Sequence, residues 1–192
     1  MSGHPPSHTR PNTLGDRPEI DPTAYVDPSA LIIGKVRVGP RTFIGPCAVI
    51  RADELDEHGM VGSITIGPEC NVQDGVIIHS LGGQSVTIGS RVSLAHGCVV
   101  HGPCTIGDDC FVGFRAIVYS AQLMERTFVG HGAIVESVEL RDGVMIPSGS
   151  VVNSTEAASH LTMAGPSQRE FMRKVIAANI KLAQGYAKKG TP

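Results

Sequence analysis

The sequence predicts an all-β fold: a parallel β-helix shaped as a triangular prism, carrying one C-terminal α-helix. Three observations carry this expectation. Aliphatic residues recur at every sixth position from Val26 to Val152, with few interruptions. The chain of 192 residues holds 23 Gly and 13 Pro but no Trp, a mixture suited to many tight turns around small aliphatic side chains. Beyond residue 153 the sixfold pattern gives way to a helical one.

The elements follow in chain order. Residues 1–18 are rich in Pro, Ser and Thr and lack an apolar run, so a flexible arm is expected there rather than a signal peptide. The prism is expected over 19–153. Its corner residues are Val26, Ile32, Val38, Ile44 and Ile50, then Ile66, Val72 and Ile78, then Ile88, Leu94, Val100, Ile106, Val112 and Val118. After single-residue slips come Leu123, Val129 and Val135, and finally Leu140, Ile146 and Val152. Period six fits neither an α-helix nor a coiled coil. It fits three short strands per coil, with coils about 4.8 Å apart. Glycines follow many corner residues (Gly45, Gly67, Gly89, Gly107, Gly113, Gly130), and a turn with positive φ is the expected reason. The repeat resembles the hexapeptide repeats of left-handed β-helices. The left hand comes from that likeness, since crossovers in general favour the right hand.

Two loops interrupt the repeat. RADELDEHGMVGS fills the step from Ile50 to Ile66, counted as two hexads plus four residues, and SLGGQS fills the step from Ile78 to Ile88. Loops on a regular scaffold commonly carry function. Cys70, Cys98, Cys104 and Cys110 each lie four residues after a corner and are expected to be buried packing residues; Cys47 has no assigned role. Residues 166–189 form the expected helix, with Phe171, Val175, Leu182 and Tyr186 on one stripe and Ala178 and Asn179 beside it.

Three histidines stand out. His79 and His101 each follow a corner residue directly, so they stack one coil apart and point outward. His96 lies two residues past Leu94, on a different edge, and the same count places Arg51 and Gln73 with it. A face of about five residues spans roughly 17 Å, whereas zinc–nitrogen bonds are about 2.0–2.1 Å. His96 therefore shares no metal with His79 and His101 of its own chain. In a threefold trimer it meets them across a subunit boundary, giving three imidazoles with open positions.

RADE (51–54), NVQDGVIIHS (71–80), VSLAHGCVVHGP (92–103) and IGDDCFVGF (106–114) resemble the γ-class carbonic anhydrases, and the likeness extends over roughly residues 20 to 186. It implies a left-handed β-helix trimer with a metal at each subunit interface, reversibly hydrating CO2 to bicarbonate by a metal-bound hydroxide. By this resemblance His79, His96 and His101 are the metal ligands, and Arg51 with Asp53 is an interface ion pair. Asn71, Gln73, Glu54 and Asn179 match active-site residues. Zinc is the expected metal, with Fe(II) and Co(II) also suited to imidazole. Gly82 stands where well-known members carry a proton-shuttling glutamate, so the chain resembles a short-loop subclass.

A formal net charge of −2 gives no electrostatic reason to expect nucleic acid or a membrane as partner. The odd cysteine count, without a C-x-x-C pair, argues against a disulfide framework and for the cytoplasm. Two other functions fit the fold. The chain also resembles the N-terminal domain of carboxysome scaffold proteins, which implies a catalytically weak or inactive assembly role. A hexapeptide-repeat acyltransferase needs one histidine and leaves the other two without a purpose.

Overall fold

The computed structural model describes residues 9–189, with side chains up to residue 186. The chain winds as a left-handed parallel β-helix with three faces, built from sheets of eight, seven and eight strands. Each coil contributes one short strand to each face in turn. Ile77–Ser80 on the first face pairs in parallel with Val49–Ala52 one coil before and Val99–Gly102 one coil after. The second face holds Ile64–Ile66, Val86–Ile88 and Cys104–Ile106; the third holds Asn71–Val72, Ser93–Leu94 and Phe111–Val112.

The sixfold pattern works because only one side chain per strand end reaches the axis. Every corner residue from Ile32 to Val152 is at most 3% exposed, and Val26 at the end of the prism is partly buried. Cys70, Cys98, Cys104 and Cys110 fill the smaller inner positions, and burial pushes their thiols up to about 12, which leaves them as inert packing groups. Cys47 is exposed at a corner with φ of 57°, its N–H donating to Ser29 Oγ at 3.0 Å.

The glycines that follow the corner residues do not have positive φ. That conformation falls two residues later, at Cys47, Glu69, Arg91, Asp109, Arg115 and Gly132. The glycines are required by close approach instead: a Cβ on Gly67 would stand 2.5 Å from the carbonyl oxygen of Gly89 on the next coil. On the second-to-third corner, left-handed Arg41, Glu69, Arg91, Asp109 and Arg126 alternate in charge, and coils pair as Arg41–Glu69, Arg91–Asp109 and Arg126 with Asp142. Such exposed pairs contribute at most about 1 kcal/mol each, against about 1–2 kcal/mol per left-handed residue.

Two sequence expectations change here. Ile50 to Ile66 spans sixteen positions, one hexad plus ten, because the loop is inserted within a single step from first to second face. Ile50 pairs with Ile78, not on the edge of Val72 and Leu94. Arg51 therefore stands in the row of His79 and His101 and not on the edge of His96. The N-terminal arm is docked from residue 9 onward: Thr9–Arg10 pairs with Ile32 and Ile33, and buried Asn12 donates to Ala52 O at 3.2 Å and to Asp16 Oδ2 at 2.9 Å. The flexibility expected of residues 1–8 lies outside the described residues.

Past the prism, a short helix α1 (Thr155–Ser159) is capped by Ser154, whose Oγ accepts the Ala157 N–H at 3.1 Å. Thr162–Met163 then adds an antiparallel strand to the third face. Helix α2 (Pro166–Lys189) lies along that face. Its packed side is Met172, Ile176, Asn179 and Ala183, and Tyr186 stacks on Tyr25 with ring centroids 4.4 Å apart. The expected stripe is thus rotated. Leu182 is 41% exposed, Ala178 faces solvent, and Phe171 touches Phe111 only at its edge. The prism offers a polar partner on that side, since Gln73 Nε2 donates to Asn179 Oδ1 at 2.8 Å.

Candidate metal centre

The site residues fall into two groups at opposite ends of the first face. The first group gathers beside the first-to-second corner. His79 and His101 are register partners on adjacent strands, with His79 Nδ1 3.2 Å from His101 Nε2. His101 Nδ1 lies 3.1 Å from Gly102 O. A carbonyl only accepts, so that nitrogen carries the proton and Nε2 presents its lone pair to His79. His79 then donates through Nδ1, and its own Nε2 is left as an acceptor. That atom is buried without a hydrogen-bond partner among the described residues.

What surrounds His79 Nε2 is more negative charge. Asp53 Oδ1 lies 3.6 Å away and Glu54 Oε2 3.7 Å away. A lone pair facing two carboxylates is short of a cation, so the donor set fits a divalent metal. Burial is the largest cause that lowers the pKa of His79, with the Arg51 guanidinium and His101 adding to it, which keeps the ring neutral as a ligand must be. Arg51 Nε meets Asp53 Oδ1 at 3.1 Å within the chain. Glu54 is tied to the second loop, its Oε1 accepting the Gly82 N–H at 3.3 Å. Gly82 itself has no room for a side chain: a Cβ would stand 2.3 Å from Leu55 O. The two loops thus pack against each other.

The second group sits at the third-to-first corner. Gln73 Nε2 donates to Asn71 Oδ1 and to Asn179 Oδ1, the latter at 2.8 Å. Asn71 Nδ2 donates to Ser93 Oγ at 2.8 Å, and Asn179 Nδ2 to Val175 O at 2.8 Å. Both amide hydrogens of Gln73 are thus committed, and its carbonyl oxygen is the free acceptor. His96 stands close by on the same corner, its side chain 52% exposed and its Nδ1 3.5 Å from Asp74 Oδ2. Sequence reasoning missed Asp74, Phe114 and His131 on this corner, because their approach depends on how successive coils stack.

Five residues of strand separate His96 from His101, roughly 17 Å. No three metal-ligating groups converge within one chain among the described residues. Between the two groups runs an outward row of Leu31, Val49, Ile77, Val99, Ile117, Ile134 and Val151 in register. Three of these are strongly exposed: Ile77 at 43%, Ile117 at 38% and Val151 at 54%.

The chain is similar to hexapeptide-repeat proteins and to a carbonic anhydrase. Residues 85–119 match the family model described as bacterial transferase hexapeptide (six repeats), and 125–154 match the hexapeptide repeat of succinyl-transferase. A carbonic anhydrase of Methanosarcina thermophila is 42% identical over 125 residues, covering 55% of this chain and 48% of that protein. The likeness to a carbonic anhydrase thus extends over about half of this chain. The carboxysome assembly protein CcmM of Nostoc is 35% identical over 178 residues, 88% of this chain and 31% of that protein. The chain therefore spans about half or less of the curated relatives it matches. A crystal structure of a hexapeptide transferase family protein from Anaplasma phagocytophilum superposes with a TM-score of 0.63 at 28% identity, over 93% of this chain and 97% of that one.

A cavity of about 370 Å³ lies elsewhere, between α2 and the second-to-third corner. Its arginines are mostly paired with carboxylates: Arg91 with Asp109, Arg126 with Asp142 and Arg173 with Glu170. It holds none of the groups described above, and the chemistry of the histidine groups outweighs its volume. No described helix is long and apolar enough to cross a membrane.

Proposed function

We propose that the chain acts as a homotrimer holding a divalent metal at each subunit boundary, with zinc, Fe(II) or Co(II) suited to the site, and that it reversibly hydrates CO2 to bicarbonate. The observation that carries this reading is the split of the imidazoles. His79 and His101 lie at one end of an exposed apolar row and His96 at the other, so each end supplies what the other lacks. Threefold closure joins the two ends and buries the row.

A cation held by three neutral imidazoles with an open position supplies Lewis acidity, which makes water a nucleophile near neutral pH. The chain's residues do the rest. Gln73, held by Asn71 and Asn179, offers its carbonyl oxygen to the hydrogen of the attacking oxygen and so turns a lone pair toward the CO2 carbon. Glu54, tied to Gly82, is placed to take up a proton and pass it to solvent. Arg51 and Asp53 stand where a neighbouring subunit would close over them, which suits an interface pair.

Hydration of CO2 by the fully metal-loaded protein should exceed the buffer background. Rates at background with full zinc or iron loading overturn the enzyme reading. They favour the second reading, an assembly role, which rests on the 88% of the chain matched by CcmM. A His96→Ala variant should lose its metal, and unchanged metal content contradicts the ligand set.

A further inference from the structure

We infer that Phe114 and His131 are positioning residues for His96: a stack of rings, fixed at its His131 end, holds that imidazole ready for a ligand outside its own chain. The inference rests on the proposed metal centre and adds residues that the chemistry above does not use.

The stack runs down the third-to-first corner with one ring per coil. His96 lies over Phe114 with centroids 5.5 Å apart and planes 23° apart, and Phe114 lies over His131 at 4.5 Å and 10°. These separations match the coil spacing of about 4.8 Å, so the backbone repeat itself sets the stacking distance. The His131 end is anchored. Its Nδ1 accepts the Phe114 N–H at 3.0 Å, its own N–H donates to Ser148 Oγ at 3.1 Å, and the edge of Phe111 meets its ring. Gly113 makes room, since a Cβ there would stand 2.8 Å from His131 Nδ1. The His96 end has no comparable anchor: above it is Asp74 at 3.5 Å from Nδ1, and beyond it is solvent. Asp74 Oδ2 lies 3.5 Å from Nδ1, and a proton on that nitrogen leaves Nε2 free to ligate. Phe114 supplies the wall that stops the half-exposed ring from turning. A phenylalanine 45% exposed at this corner has a purpose on these terms.

Removing a partner that orients a metal-ligating histidine typically lowers metal affinity about 10–100-fold. Zinc titration of the full-length protein against a chromogenic chelator should show such a loss for Phe114→Ala, a smaller one for His131→Ala, and near-normal affinity for Phe114→Tyr, which keeps the ring. A Phe114→Ala protein that binds zinc as tightly as the wild type overturns the inference. Histidine NMR of the metal-free protein tests it without metal. His96 ring protons should show an upfield ring-current shift that Phe114→Ala abolishes, and His131 should hold its proton on Nε2. An unchanged His96 spectrum in Phe114→Ala again overturns it. Absence of zinc binding in the wild type sinks the proposed function instead, and the NMR result still decides whether the stack holds His96.

Discussion

His79 is neutral because of where its ring sits. Burial, the Arg51 guanidinium and His101 all lower its pKa. The unfolded chain therefore binds a proton at this residue at a higher pH than the folded chain does. Stability falls as pH drops below the ordinary histidine range, near 6.5, toward the lowered folded value. Metal-free wild type should lose stability faster below about pH 6.5 than His79→Gln, as measured by urea unfolding across pH; parallel slopes contradict this. Gly82 offers a second test. A Cβ there would press on the Leu55 carbonyl, so Gly82→Ala should destabilise by about 1–3 kcal/mol, the range of an overpacked site. At this scale the sequence showed that His79 and His101 stack, because a period of six fixes which residues share a row. The tautomers were not legible, because they follow from one carbonyl, that of Gly102.

Helix α2 shows what a periodic pattern conveys about an element and what it omits. Its span of 166–189 is readable from the change of period and from Pro166, while its orientation is not. Counting apolar residues favours Phe171, Val175, Leu182 and Tyr186. The packed side turns toward Met172 and Ala183, which brings Asn179 Oδ1 to accept from Gln73 Nε2. Met172→Ala should therefore cost about 2 kcal/mol. Leu182→Ala should stay within about 0.5 kcal/mol. Chemical denaturation of both variants checks the rotation, and equal effects contradict it. The insertion after Ile50 was misplaced by one hexad for a similar reason. A loop of ten residues is indistinguishable from a hexad plus four until strand pairing shows where Ile50 lies.

The whole molecule presents two incomplete groups joined by an exposed apolar row. Isolated, the chain leaves Ile77, Ile117 and Val151 in water and His79 Nε2 without a partner. Ile117→Asp places a charge in that row and should shift the protein from trimer to monomer in light scattering, with loss of metal. Prism, helix and histidine spacing were all readable in one chain's sequence. The proposed subunit boundary was readable only as geometry, since each chain carries His79 and His101 at one end of a face and His96 at the other. Mixing two variants tests this division most directly. His101→Ala and His96→Ala trimers should each fail to hold metal, but every mixed trimer then contains one boundary with His79, His101 and a neighbour's His96 intact. Unfolding and refolding the two together at equal amounts should restore about a quarter of the wild-type metal content, as random threefold assembly requires. A mixture that binds no more metal than its two parents would show that the imidazoles do not meet across subunits.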